Sequence, residues 1–144
     1  MRRKFEVNEP YYAAHWFLAR LIPDLVDKVD LSVYIRQQKY KGHLWTFQHY
    51  PNLYTMVIKS SIGRRESLRT IAHECVHIAQ YATGKMKDIW ENNKGKKVLW
   101  KKEHLLDNTY DGKAYTNSPW EVEARAMEDK LMFAYLRHVK KIRS

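Results

Sequence analysis

The segment Thr70–Tyr81, with the sequence TIAHECVHIAQY, contains an H-E-x-x-H motif inside a continuous helical pattern. On an α-helix, His73 and His77 are about one turn apart, so their rings project from one face about 6 Å apart along the axis. This spacing suits two imidazole ligands of one metal ion, and the motif indicates zinc. Glu74 lies about 100° round the helix from His73, where it can act as the general base toward a zinc-activated water. Cys75 points away from the histidines and is predicted to fill the core.

Apolar residues surround the motif, namely Ile71, Ala72, Val76, Ile78 and Ala79. A histidine and glutamate pair in such surroundings is partly buried, and burial without a partner is costly. We therefore favour a metal site over the alternative, in which the three polar residues merely share a surface helix.

The composition indicates a globular protein, predicted as one domain over residues 1–144. Apolar residues make up 44% of the chain, which argues against disorder. Lysine and arginine outnumber aspartate and glutamate by 26 to 16, giving a net charge of +10. This excess fits a nucleic acid partner, or it reflects solvated faces with no specific partner.

The cysteine count and the hydropathy pattern give expectations about location. The single cysteine excludes an internal disulfide, so the fold needs no oxidising compartment. Residues 5–10 are not an apolar signal-peptide core, and no run approaches membrane-spanning length. The sequence predicts a soluble, intracellular (cytoplasmic) protein with no membrane contact.

The chain pattern predicts an α+β fold with an N-terminal helix, a small mixed or antiparallel sheet, the H-E-x-x-H helix and a C-terminal helix. Turn signals stand at Asn92–Gly95 and Asp111–Gly112. The predicted elements are a helix from about Asn8 to Leu21, strands at Leu31–Gln37, Leu44–Phe47, Leu53–Lys59 and Lys97–Lys101, a helix at Arg64–Thr83 and a last helix ending near Val139.

The last helix begins with a clear capping signal. Ser118 is the predicted N-cap, Pro119 takes the first helical position, and Glu121 completes a capping box. Glu121 thus has a structural role, and it shares a helical face with Arg125 and Glu128 that is expected to be solvated.

A catalytic zinc site needs three protein ligands, and the two histidines leave one to be found. Glu123 shares its helical face with Ala126, Met127 and Ala134, so a carboxylate there would point inward and need a strong partner. The candidates for the third ligand are Glu121, Glu123, His104 and His138.

His73-Glu74-x-x-His77, followed downstream by Glu123-Ala124, resembles the gluzincin clan of zinc metallopeptidases. The resemblance covers roughly Leu53 to Leu136 and implies a minimal zincin-like domain. It implies His73, His77 and Glu123 as zinc ligands and Glu74 as general base. The segment Pro119–Ala124 is also similar to a pattern in small phage and bacterial metallopeptidase-like proteins, which implies a phage-encoded protein in a bacterial host.

Two further features follow from the resemblance. The clan places an acidic residue four positions after the ligand glutamate, where this sequence has Met127, so another residue must orient the histidine. The clan also uses a tyrosine or histidine to stabilise the oxyanion. Here the candidates are Tyr110, Tyr115 and His104.

The leading hypothesis is a zinc-dependent peptidase acting on a peptide or protein, with Leu53–Lys59 as the edge strand that pairs with the substrate. The alternative is a non-catalytic zincin-fold protein, associated with nucleic acid or virions through its basic surface. A third hypothesis is a peptidase recruited to DNA, as in SprT-like proteases, which use histidine as third ligand. Glu123 argues against that kinship.

Overall fold

The computed structural model describes residues 8–91, 95–102, 104–107 and 117–143. These residues form a small mixed α+β fold with three helices and two small sheets. The helices are α1 (Glu9–Leu21), α2 (Arg64–Ala82) and α3 (Pro119–Arg143), with a 3₁₀ turn at Val26–Lys28 after α1. The strands are β1 (Asp30–Arg36), β2 (Gly42–Thr46), β3 (Leu53–Lys59), β4 (Met86–Glu91), β5 (Gly95–Trp100) and β6 (His104–Asp107).

The helices agree closely with the sequence signals. α1 has Pro10 in its first turn and ends just before Pro23. α2 is followed by Gly84 at φ 78°, a left-handed conformation that glycine adopts without a steric penalty. α3 begins directly after Ser118, as predicted, and continues four residues beyond the expected end at Val139.

The first sheet has the order β1-β3-β2, with β1 parallel and β2 antiparallel to β3. The prediction that Leu53–Lys59 is an edge strand is therefore wrong. Tyr54, Met56, Val57 and Ile58 are all buried, as expected of a strand covered on both faces rather than one at an edge. Among the described residues β2 pairs only with β3, so β2 forms the edge near α2.

The register of β2 shows which of its backbone groups face outward. The Lys59 amide donates a 2.8 Å hydrogen bond to the Lys41 carbonyl. In the antiparallel pairing, the backbone N–H and C=O groups of the odd-numbered residues of β2 therefore point toward β3. The backbone groups of Gly42, Leu44 and Thr46 consequently point to the free edge. This edge can pair with another extended chain.

The second sheet is an antiparallel meander, β4-β5-β6, of which the sequence predicted only the strand near Lys97–Lys101. Asp88 of β4 connects the second sheet to α2 and β2 through hydrogen bonds. The Asp88 carboxylate accepts hydrogen bonds from Tyr81 of α2 at 2.7 Å, from Lys96 of β5 at 3.0 Å and from Thr46 of β2. The predicted turns lie largely or wholly outside the described residues, at 92–94 and 111–112.

The main core lies between the three helices and the first sheet, with Phe17, Ile71, Met132 and Tyr135 among its fully buried side chains. Cys75 is also fully buried, which confirms its predicted role as core filler. None of the described helices is long and apolar enough to cross a membrane.

Candidate metal centre

His73 and His77 project from one face of α2 toward the first turn of α3. The two rings share one face, as the one-turn spacing predicted, and their Nε2 atoms are 3.2 Å apart. A third side chain, Glu121, meets them there. One of its carboxylate oxygens lies 2.9 Å from His77 Nε2 and the other 2.9 Å from His73 Nε2. In the described parts of the chain, these three residues are the one group of potential metal ligands found together, with donor atoms within 4.8 Å of one another.

The expectation that Glu123 is the third ligand is wrong for this arrangement. The Glu123 carboxylate faces Gln80 and Lys85, accepting a 3.1 Å hydrogen bond from the Gln80 amide and pairing with the Lys85 ammonium group. Glu121 and Glu123 are about 200° apart on the helix, so only one of them can face the histidines. Glu121, which is 3% exposed, occupies the position that we assigned to Glu123.

The prediction that Glu121, Arg125 and Glu128 form a solvated face is also wrong for the two glutamates. The buried residues Ala124, Leu131, Tyr135 and Val139 recur at spacings of seven, four and four along α3, which places them on one helical face. Glu121 and Glu128 each precede a member of this stripe by three residues and therefore lie on its face. Ala126, which was expected to point inward, is exposed.

The donor set fits a zinc ion. Zinc bound tetrahedrally at about 2.0–2.1 Å requires ligand atoms about 3.3 Å apart. The separations among the nearest atoms of His73, His77 and Glu121 are 2.9–3.2 Å, so small outward shifts are enough to admit the ion. Two imidazoles and one carboxylate leave a fourth position for water or substrate, the composition of catalytic rather than structural zinc sites.

Each histidine is also held through its other ring nitrogen. His73 Nδ1 lies 2.8 Å from a Glu128 oxygen, and His77 Nδ1 lies 2.8 Å from Gln80 Oε1. The Gln80 amide group in turn donates to the Trp120 carbonyl and to Glu123. Such outer partners fix the ring orientation and the tautomer, leaving Nε2 for a metal.

The sequence patterns did not predict that Glu128 and Gln80 are partners of the histidines. The signal for Gln80 was its position three residues after His77, which places both on one helical face. The signal for Glu128 was the apolar stripe of α3.

The centre is strongly negative when both imidazoles are neutral. Burial lowers the pKa of His73, but hydrogen bonds to Glu121 and Glu128 outweigh burial and raise this pKa to about 10. Burial raises the pKa of Glu121, yet the hydrogen bonds with the two histidines hold it well below its usual range. The raised pKa of His73 and the lowered pKa of Glu121 have one cause: the carboxylates favour a positive charge between them. A divalent cation bound at this point would supply that charge.

Glu74 lies beside the three potential ligands and is 8% exposed. It packs under the β2 edge at Gly42, where a Cβ atom would lie 3.4 Å from Glu74 Oε1 and only 2.4 Å from Thr70 Cγ2. A side chain at position 42 would therefore force Thr70 or the strand to shift. Burial raises the pKa of the Glu74 carboxyl group, which makes its carboxylate a stronger base.

A cleft of about 100 Å³ opens above Glu74, His77 and Glu121. The β2 edge forms one wall at Gly42 and Leu44, and residues of the second sheet, including Met86, Lys96 and Val98, also line it. Trp120, at the start of α3, is buried beside the cleft.

The side chains predicted to stabilise the oxyanion lie outside the described part of the structure. Tyr110 and Tyr115 lie outside the described residues, and so does the side chain of His104, whose backbone belongs to β6. His43, which was not predicted as a site residue, lines the cleft, and burial and Lys96 both lower its pKa. His138, a candidate ligand, instead packs against Trp16 of α1.

Searches for similar proteins returned no match for this chain among protein-family models, curated proteins or solved structures.

Proposed function

We propose that this protein is a zinc-dependent peptidase of gluzincin type with a minimal zincin-like domain, in which His73, His77 and Glu121 hold the ion and Glu74 is the general base. One observation carries the proposal: two imidazoles and one carboxylate converge at one point, beside a buried glutamate and beneath a strand edge. A zinc ion there would polarise a substrate carbonyl and activate water.

Glu74 is the residue that moves the proton. Its carboxylate lines the cleft between the histidines and Gly42, so a water held there is within its reach. Once protonated, Glu74 can pass the proton to the leaving amine. The pKa raised by burial favours the first transfer, because a stronger base accepts the proton more readily.

The β2 edge supports a peptide as the substrate. An extended chain can pair with the outward backbone groups of Gly42 and Leu44, which brings one of its carbonyl groups over the centre. The narrow cleft admits an extended segment and excludes a folded domain. We therefore propose unstructured peptides or loops as the substrate class.

A neighbouring cavity supports a preference for large apolar side chains. This cavity measures about 300 Å³, shares Tyr81 and Met86 with the cleft, and is lined further along by Phe47 and Trp90. Its aromatic lining suits a bulky apolar group of a peptide bound along β2.

The experiment is to incubate the zinc-loaded protein with a library of unstructured fluorogenic peptides and compare Glu74→Gln with wild type. The amide fills the same space but cannot accept the proton, so we expect full zinc content and a loss of cleavage of about 10²-fold or more. Glu66→Gln, the same exchange two turns earlier on α2, is the matched control and should cleave normally. Equal cleavage by wild type and Glu74→Gln, or none by zinc-loaded wild type, would contradict the proposal.

A further inference from the structure

A groove between α1 and α3 is lined by cationic and aromatic side chains. It measures about 350 Å³ and contains no acidic residue in its lining. The lining residues are Trp16, Arg20, Ala134, Arg137, His138 and Lys141.

This groove lies far from the metal centre. Arg137 is 16 residues after Glu121 on the same helix (137 − 121), which corresponds to about 24 Å along the axis. The groove therefore belongs to neither the cleft nor its outer partners, and a ligand bound in it would leave the cleft open.

The two arginines of the groove differ from Arg64 and Arg69, which are ion-paired. Arg64 pairs with Glu9 at 2.6 Å, and Arg69 pairs with Asp129 at 2.6 Å. Arg20 and Arg137, by contrast, make no ion pair with any residue in the described ranges. Two guanidinium groups without a carboxylate partner thus line the same groove, together with Lys141.

Helix-end electrostatics explain only part of this cluster. Cations in the last turn of a helix complement its negative end, which accounts for Arg20 in α1 and Lys141 in α3. Arg137 lies nearly two turns before the end of α3, beyond the reach of that effect. An anionic ligand gives all three cations a common role.

The floor of the groove is fixed by packing. The Tyr12 hydroxyl group and His138 Nε2 are 2.9 Å apart, and the Trp16 and His138 ring centroids are 5.3 Å apart. The Arg20 guanidinium carbon stands 4.8 Å from the Trp16 ring centroid. Stacking restricts the guanidinium group before a ligand arrives, which reduces the entropy lost on binding.

We propose that this groove binds the phosphate backbone of a nucleic acid. Guanidinium groups donate paired hydrogen bonds to phosphate oxygens, and two arginines with a lysine can contact successive phosphates. The net charge of +10 draws a polyanion toward the protein at long range. Binding here would tether the protein to nucleic acid with the cleft free for a second molecule.

The test measures the binding of labelled single- and double-stranded oligonucleotides by fluorescence anisotropy between about 50 and 200 mM salt. The slope of log affinity against log salt falls by about 0.9 for each duplex phosphate contact removed. We therefore expect Arg20→Gln/Arg137→Gln to lower the duplex slope by nearly two and to reduce affinity about tenfold or more at the lower salt. Removing metal with a chelator should leave binding unchanged.

The matched control is Arg36→Gln/Lys39→Gln, which removes the same charge from the first sheet and the loop after β1. Arg36 stands 4.8 Å from the Tyr34 ring centroid, the same stacking distance as Arg20 on Trp16. The single variant Arg137→Gln leaves that stacking untouched, should lower the slope by about one, and guards against misfolding of the double variant. Equal slope changes in groove and control variants, no binding by wild type at the lower salt, or binding to phosphatidylserine vesicles without binding to oligonucleotides would overturn the proposal.

Discussion

The two histidines of the candidate metal centre have different kinds of hydrogen-bond partner. His73 is 17% exposed and faces the Glu128 carboxylate, itself 20% exposed. His77 is more deeply buried and faces the neutral amide of Gln80. A charged partner thus stands on the side near solvent and an uncharged partner on the buried side.

The difference follows from the cost of burying charge. A carboxylate near solvent keeps part of its hydration, whereas a second one beside His77 would lose nearly all of it. The Gln80 amide group instead donates a hydrogen bond to Glu123, and Glu123 forms an ion pair with Lys85 at a partly exposed position. Glu121 contacts both histidines and is common to the two sides.

The largest expected effect separates Glu121 from Glu123. Glu121→Gln replaces the carboxylate shared by both histidines with a poor zinc ligand, so zinc affinity should fall more than about 100-fold. Glu123→Gln leaves the three potential ligands in place and should lower affinity about tenfold or less. Competition with a chelator measures both. A greater loss of zinc affinity for Glu123→Gln would show that Glu123, and not Glu121, is the carboxylate ligand.

A smaller loss of zinc affinity is expected when the partly exposed partner of His73 is removed. Glu128→Ala removes the carboxylate that orients His73, and such outer partners contribute about 10- to 100-fold to metal affinity. Asp129→Ala is the control on the next residue, where the carboxylate pairs with Arg69 at the surface. Zinc affinity measured by the same competition should be unchanged in the control, and an equal fall in both variants would remove the specific role of Glu128.

Effects of similar or smaller size are expected from exchanging the two kinds of partner. Gln80→Glu puts a carboxylate against the Trp120 carbonyl and Glu123 without a donor for either, so the metal-free protein should lose about 2 kcal/mol of unfolding free energy. Glu128→Gln makes the reverse exchange near solvent and should change stability by less than about 1 kcal/mol. Denaturant unfolding with zinc removed measures both, and equal costs would show that burial does not decide between amide and carboxylate.

Local signals predicted the helices and the strand β3 to within a few residues. They also predicted the two histidines, because H-E-x-x-H places both on one helical face whatever the surroundings. Strand order is not a local property, so β3 was taken for the edge that β2 forms. The second sheet was largely missed because lysines occupy several of its positions and hide the alternation of Met86, Val98 and Trp100.

The third potential ligand, Glu121, could not be identified from local sequence signals. Ser118 and Glu121 have the spacing of a capping box, which predicts a structural role for Glu121. Position N3 of α3 also faces α2, and only the packing of the two helices determines that second neighbour. The sequence prediction used a different face of α3, that of Ala126, Met127 and Ala134. The buried residues Ala124, Leu131 and Tyr135 define the face that packs inward. Extended back by one turn, that face includes Glu121.

The most direct test of the centre is a crystal structure of the zinc-loaded protein with anomalous data at the zinc edge. We expect one anomalous peak within about 2.0–2.2 Å of His73 Nε2, His77 Nε2 and a Glu121 oxygen, with Glu123 still paired to Lys85. A peak coordinated by Glu123, or one that contacts only one of the two histidines, would contradict the account.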